Sequence, residues 1–198
     1  NMFDIAREVG IDKFIFTSSI EAMGCIKMQD VPGDEKLPCA PESPYGKSKL
    51  EAETRIMKYT GSGDVQVKIL RLGNVYGPGS SFLIVPMANA ILTSDYHLNI
   101  FSYLKERLIH PIYIDDVIDG LKGSIEKDVE GVFILGANNY VTIGTIIQLI
   151  SDVVKKEIGP SHPNLLLPLF LNIRKKTMEI AGRADLAAYF LAGKGEKI

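Results

Sequence analysis

A chain of 198 residues, 46% of them hydrophobic, is long enough to bury a core as one domain or as a domain with a small lobe. A formal net charge of −2 and the lack of any Lys/Arg-rich run exclude the electrostatic footprint of a nucleic-acid binder. Two cysteines, Cys25 and Cys39, with no CxxC and no His/Cys cluster, suggest neither a disulfide framework nor a zinc site and fit a reduced, cytoplasmic setting.

The N-terminus, "NMFDIAREVG", lacks the basic and long apolar regions of a signal peptide and starts without methionine, as if cut from a longer chain. Met2, Ile5, Ala6 and Val9 recur at helical spacing before Gly10, which predicts a short amphipathic helix. "KFIFTSS" then reads as a buried parallel strand ending in hydroxyl residues. Residues 24 to 42, rich in Pro, Gly and Asp, have no periodicity and are expected to form a loop.

Ser43 and Pro44 suit the cap and first position of a helix whose apolar contacts are Leu50, Ala52, Ile56 and Met57. "VQVKILRL" predicts a second strand, followed by the turn "GNVYGPG" and a helix from Phe82 to Leu92. A short strand at "HPIYI" leads into a helix whose start carries Asp115 and Asp116, favourable charges at a helix N-terminus. "GVFILG" is a third strand, and Thr142 is a candidate cap for the amphipathic helix "TIGTIIQLISDVVKKEIG". Beyond Pro160 the sequence reads as helical pieces, and its apolar run "LLLPLFL" is far shorter than the roughly 20 residues of a membrane span. No membrane association is expected. Alternating strands and helices favour an α/β fold with a mostly parallel sheet, whose ligands would sit at strand ends such as Thr17-Ser18-Ser19 and Leu72-Gly73-Asn74.

Tyr45 and Lys49, four residues apart on one helix, can converge on one volume. A neighbouring ammonium favours the phenolate, so Tyr45 could work as a general base, with a strand-end serine holding the same substrate oxygen. That chemistry suits oxidation of a carbinol with hydride passing to a cofactor, because no side chain accepts a hydride. The competing reading is a solvated helix face that happens to carry YxxxK.

Four segments, in order, decide between them: "KFIFTSSIEAMG", "SPYGKSKLEAE", "ILRLGNVYGPG" and "HPIYIDDVIDGL". Together they resemble the extended short-chain dehydrogenase/reductases, the NAD-dependent epimerase/dehydratase family, over much of residues 1 to 135. The resemblance implies a partial Rossmann-like, doubly wound parallel sheet with a small, mostly helical substrate lobe. On this layout residues 1–77 and 110–137 form the C-terminal half of the catalytic domain, and 78–109 with 138–198 form the lobe.

By the same resemblance Tyr45 is the catalytic acid/base and Ser19 the catalytic serine. Lys49 lowers the pKa of Tyr45 and binds the nicotinamide ribose. Ser18, Tyr45, Leu72 and Gly73 are cofactor contacts; Ser19, Asn74 and Arg107 are substrate contacts, Arg107 as the grip on a diphosphate. For Ser18 the alternative is a strand-end hydroxyl satisfied within the fold, for Asn74 a residue that stabilises its own loop, and for Arg107 a solvated surface arginine. His97 and His110 have no third partner at metal spacing, so no metal is expected.

The implied cofactor is NAD or NADP, and the implied substrate a nucleotide sugar. Family members commonly dimerise through helices that correspond here to residues 2–9 and 44–60. Two departures bear on this. No GxxGxxG pyrophosphate turn occurs anywhere in the 198 residues, and "GNVYGPG", interrupted by Pro78, is no substitute. The chain is therefore expected to be a fragment with an exposed sheet edge that binds NAD weakly or not at all by itself. Met23 stands where sugar-nucleotide enzymes of the family usually carry tyrosine, and the tail "PLFLNIRKKTMEIAGRADLAAYFL" is weakly similar to hydroxysteroid dehydrogenase-like relatives. The alternatives are thus a 3β-hydroxysteroid or dihydroflavonol-type reductase using the same Ser19, Tyr45 and Lys49, and a truncated, non-catalytic binding module.

Overall fold

The computed structural model describes residues 2–26, 30–31, 33–63, 65–93, 104–136 and 140–157. These fall into two compact units, one of residues 2–73 with 116–135 and one of 74–115 with 136–157. The tail beyond Pro160 and His97 lie outside the described residues.

The first unit is a three-stranded parallel sheet with helices. Helix α1 (Met2–Glu8) precedes β1 (Lys13–Ser19), and a 3-10 turn (Ile20–Ala22) follows it. Helix α2 (Pro44–Met57) leads to β2 (Gln66–Leu72). The α2 start forms as its sequence requires: Ser43 Oγ accepts from Gly46 N at 3.0 Å, and Pro44 occupies the first turn. β1 and β2 pair over all seven residues, Lys13 opposite Gln66 through Ser19 opposite Leu72. The other edge of β2 pairs in parallel with a later strand (Gly131–Leu135), numbered below.

Side chains alternate across a strand, and the sheet uses both faces. On one face Val67 and Ile69 pack with Phe3 of α1 and Ile56 of α2, with Phe14, Phe16 and Val132 beside them. Phe3 meets Phe14 edge-on, ring centroids 4.9 Å apart. β2 is buried from Val67 to Arg71. Phe14, Ile15 and Phe16 of β1 stay half-exposed, because its second edge has no partner among the described residues.

In the second unit β3 (Asn74–Tyr76) is followed by α3 (Ile84–Thr93), β4 (Leu108–Ile109) and β5 (Pro111–Tyr113). Helix α4 (Ile114–Glu126) returns to the first unit and to β6 (Gly131–Leu135), then β7 (Val141–Thr142) and α5 (Ile143–Glu157) complete the second. β3 pairs in parallel with β5, and β4 antiparallel with β7. Its core gathers Tyr76, Ile84, Met87, Tyr113, Ile146 and Ile150. Thr142 caps α5 as the sequence predicts, accepting from Thr145 N at 3.0 Å.

One buried lysine stands out in the first unit. Lys68 of β2 donates to the carbonyls of Ser124 and Lys127 at the end of α4, where the helix presents its unpaired C=O groups. Burial, with a smaller push from Lys13, holds its pKa below the ordinary lysine value, while Asp128 and Glu130 act the other way.

Candidate active site

The C-terminal edge of the sheet collects three of the residues singled out from the sequence. Ser19 lies opposite Leu72 in the register, Leu72 opposite Leu135, and Gly73 N donates to Leu135 O at 2.8 Å. Open α/β sheets bind ligands at this edge.

A clamp carries Tyr45 to the same edge. Ser19, extended at φ −144° and ψ 149°, caps the 3-10 turn, its Oγ accepting from Glu21 N at 3.2 Å. The Glu21 carboxylate in turn accepts from Ser43 Oγ at 2.7 Å, so the cap of α2 and the turn after β1 share one hydrogen-bonded chain. Gly46, the residue after Tyr45, lets helix and turn touch: a Cβ there would lie 2.4 Å from Glu21 O and 2.9 Å from Pro41 Cβ. Gly46→Ala is therefore expected to force α2 off the turn and to cost about 1–3 kcal/mol. Urea unfolding checks this, and a loss within error would mean that the turn yields freely.

Tyr45, at the first turn of α2, is 53% exposed. Lys49, one turn on, is held in place: its Nζ donates to Thr17 O at 3.0 Å, lies 5.1 Å from the Phe16 ring centroid and 5.7 Å from that of Tyr45. Both distances are within reach of a cation–π attraction. The helix thus presents a hydroxyl and an ammonium on one face, beside the strand end that carries Ser19.

Ser18 faces the other way. Its buried Oγ donates to Glu53 Oε1 at 2.5 Å, beneath α2. Glu53 also receives Arg71 of β2, with Nε at 3.1 and 3.2 Å from its two oxygens and Nη2 at 2.7 Å from Oε2. Arg71 Nη2 further contacts Cys39 Sγ at 3.2 Å. Burial works against the guanidinium charge, but the hydrogen bond and attraction from Glu53 outweigh it and raise the Arg71 pKa above its usual value. Sequence reasoning missed Glu53 and Arg71. Two signals were present: Glu53 continues the Tyr45, Lys49 spacing by a second step of four, and Arg71 is a charge inside an apolar strand.

The remaining candidates lie elsewhere. Asn74, in the second unit, exchanges hydrogen bonds with His110: its backbone N–H donates to His110 O at 2.6 Å, and its Oδ1 accepts from His110 N at 3.1 Å. Arg107, in the same unit, is exposed. Its backbone bonds Leu104 and Ile143. Met23 is buried, 3% exposed, under a strand-like contact in which Gly24, at φ +80°, approaches Ala40 so closely that a Cβ would sit 2.2 Å from Ala40 O. Among the described residues there is no group of three or more His, Cys, Asp or Glu able to hold a metal, and no helix long and apolar enough to cross a membrane.

Against known proteins, residues 1–136 match the model of the NAD dependent epimerase/dehydratase family. A putative UDP-glucose 4-epimerase of Methanocaldococcus jannaschii is 39% identical over 166 residues, covering 80% of this chain and 51% of that protein. UDP-glucuronic acid decarboxylase 1 of Arabidopsis thaliana is 30% identical over 169 residues, 81% of this chain and 37% of its own. The chain spans about half the length, or less, of these relatives. Among solved structures, the UDP-N-acetylglucosamine 4-epimerase of Methanobrevibacter ruminantium M1 superposes with a TM-score of 0.67 at 22% identity, over 96% of this chain and 67% of that one. That likeness speaks for the fold. With the family model matched over residues 1–136 of the 198, this chain belongs to the NAD dependent epimerase/dehydratase family.

Proposed function

We propose that this protein is an NAD(P)-dependent epimerase or dehydratase acting on a nucleotide sugar, with Ser19, Tyr45 and Lys49 as its reacting set. The observation that carries the reading is the clamp of α2 onto the turn after Ser19, which sets an exposed tyrosine and an ordered lysine at the C-terminal edge of a parallel sheet. The names of the relatives support the substrate class, since UDP-sugars recur among them.

The residues present fit the nicotinamide end of a dinucleotide: the Lys49 ammonium is already fixed by Thr17 O, and Leu72 and Gly73 sit at the sheet edge. With no GxxGxxG turn in the sequence, the assignment extends to that end only. When bound, the nicotinamide supplies the hydride acceptor. The protein's own part is proton traffic and alignment. Tyr45 takes the proton from the sugar hydroxyl as the carbon–hydrogen bond is broken, with the Lys49 ammonium one turn on along the same helix face. Ser19 Oγ hydrogen-bonds the same sugar oxygen. The side chain of Ser18, turned toward Glu53, acts inside the fold, so its share in cofactor binding would fall to its backbone.

The first unit takes the catalytic role and the second the part of substrate lobe, to which Asn74 and Arg107 belong. A homodimer through α1 and α2 is part of the same proposal, supported by a stripe of Met2, Ile5 and Val9 that is 80%, 57% and 68% exposed. In a version of the protein that also carries a pyrophosphate-binding turn, incubation with NAD and a panel of UDP- and dTDP-hexoses, followed by NMR of the sugar, is expected to yield a 4-epimer or a 4-keto product. Turnover of hydroxysteroids or dihydroflavonols, with the sugars untouched, would overturn the substrate class.

A further inference from the structure

Tyr45, Lys49 and Glu53 stand one turn apart and share a face of α2. Each of the last two is bonded to β1, and to consecutive residues of it: Lys49 Nζ to Thr17 O, and Glu53 Oε1 to Ser18 Oγ. Glu53 also reaches across to β2 through the two-pronged pair with Arg71. The cluster is dry, with Glu53 2% and Arg71 4% exposed.

Stability alone gives such a pair little reason to exist. The cost of removing two charges from water commonly offsets their attraction, and apolar residues of the same size hold a fold as well. Geometry is another matter. The apolar contacts of Ile56 with Phe3, Val67 and Ile69 are non-directional and leave a helix room to slide or roll. A guanidinium–carboxylate fork fixes both distance and angle. Cys39 Sγ, against Arg71 Nη2, ties the loop before α2 to the same point.

We propose that the Ser18–Glu53–Arg71 cluster sets the register of α2 on the sheet, and that Glu53 is thereby a positioning residue for the reaction, two turns from Tyr45 and outside reach of the substrate. The proposal rests on the reading of Tyr45 and Lys49 as the reacting pair. Its consequence is a separation of stability from rate.

The test is the double variant Glu53→Leu/Arg71→Met, which removes both charges together and leaves neither buried alone. The expected result is a native circular dichroism spectrum and a nearly native melting temperature. The 15Nζ resonance of Lys49 moves or is lost as its bond to Thr17 O loosens. Turnover of the nucleotide sugar falls about 10- to 100-fold with KM little changed, the loss expected from a displacement of about 1 Å. A folded variant with native Lys49 resonance and native kcat would overturn the proposal. Should the double variant fail to fold, Ser18→Ala breaks only the link to β1. It is expected to shift the same resonance and to lower kcat by about 3- to 10-fold, and no change in either would overturn the proposal as well. If a version of the protein shown to bind NAD turns over no sugar, the reading of the site has failed, and the Lys49 resonance in the two variants still decides whether Glu53 sets the helix.

Discussion

Replacing Tyr45 with phenylalanine, in a version of the protein that carries a pyrophosphate-binding turn, is expected to lower turnover by about 10²- to 10⁴-fold, the usual contribution of a positioned acid/base group, with affinity for NAD left unchanged. The phenyl ring keeps what the tyrosine ring does structurally. It stays 53% exposed at the first turn of α2, within cation–π distance of Lys49, and its loss of one oxygen opens no cavity. Only the proton-carrying atom disappears. Steady-state kinetics on the nucleotide sugar, together with calorimetric titration of NAD, check both halves. Native turnover in the phenylalanine variant would remove Tyr45 from the chemistry and reduce YxxxK to helix decoration.

The largest effect on stability is expected at Glu53→Ala. Arg71, buried with its charge held by Glu53, would be left without a counter-charge, and Ser18 Oγ would lose its acceptor. Breaking a buried pair from one side costs about 3–5 kcal/mol, a large part of the roughly 5–15 kcal/mol that holds a domain together. The same helix supplies a control. Arg55 and Glu51 also form an ion pair at 2.6 Å, but both side chains are about two-thirds exposed, and Glu51→Ala should cost about 0.5 kcal/mol or less. Urea unfolding of the two variants, compared at equal slope, measures the contrast. Equal and small losses would mean that water reaches the Arg71–Glu53 pair.

The contrast between these two ion pairs marks where sequence reasoning stops. Local chemistry was readable. Ser43 and Pro44 open α2, Thr142 caps α5, and the run ending at Leu72 forms a strand buried from Val67 to Arg71, because each depends on neighbours within a few residues. β3, β4, β5 and β7, two or three residues each, are too short to show a period, and so they passed as loop or as one strand at "HPIYI". The Glu53–Arg71 pair joins residues 18 apart through a parallel crossover, and nothing in either segment names the other.

The site itself was partly legible. The shared helix face of Tyr45 and Lys49 follows from their four-residue spacing, whereas the roles proposed for them and the choice of Ser19 rest on the resemblance. The opposed directions of Ser18 and Ser19 follow from the two-residue period of a strand, a signal present in "TSS" and not used. The link from Ser43 through Glu21 to the turn after Ser19 was not legible, since it needs the fold to bring residues 22 apart within 2.7 Å.

In the proposed mechanism Tyr45 takes a proton while hydride leaves the sugar carbon for the nicotinamide. A UDP-hexose deuterated at C4 and NAD are mixed with a version of the protein that carries a pyrophosphate-binding turn, or with its Tyr45→Phe variant, and the cofactor pool is recovered by rapid quench and read by mass spectrometry. The account predicts deuterium in the reduced cofactor from the version with Tyr45 and almost none from the variant. Equal labelling in the two, or sugar product formed without any label passing to the cofactor, would contradict it.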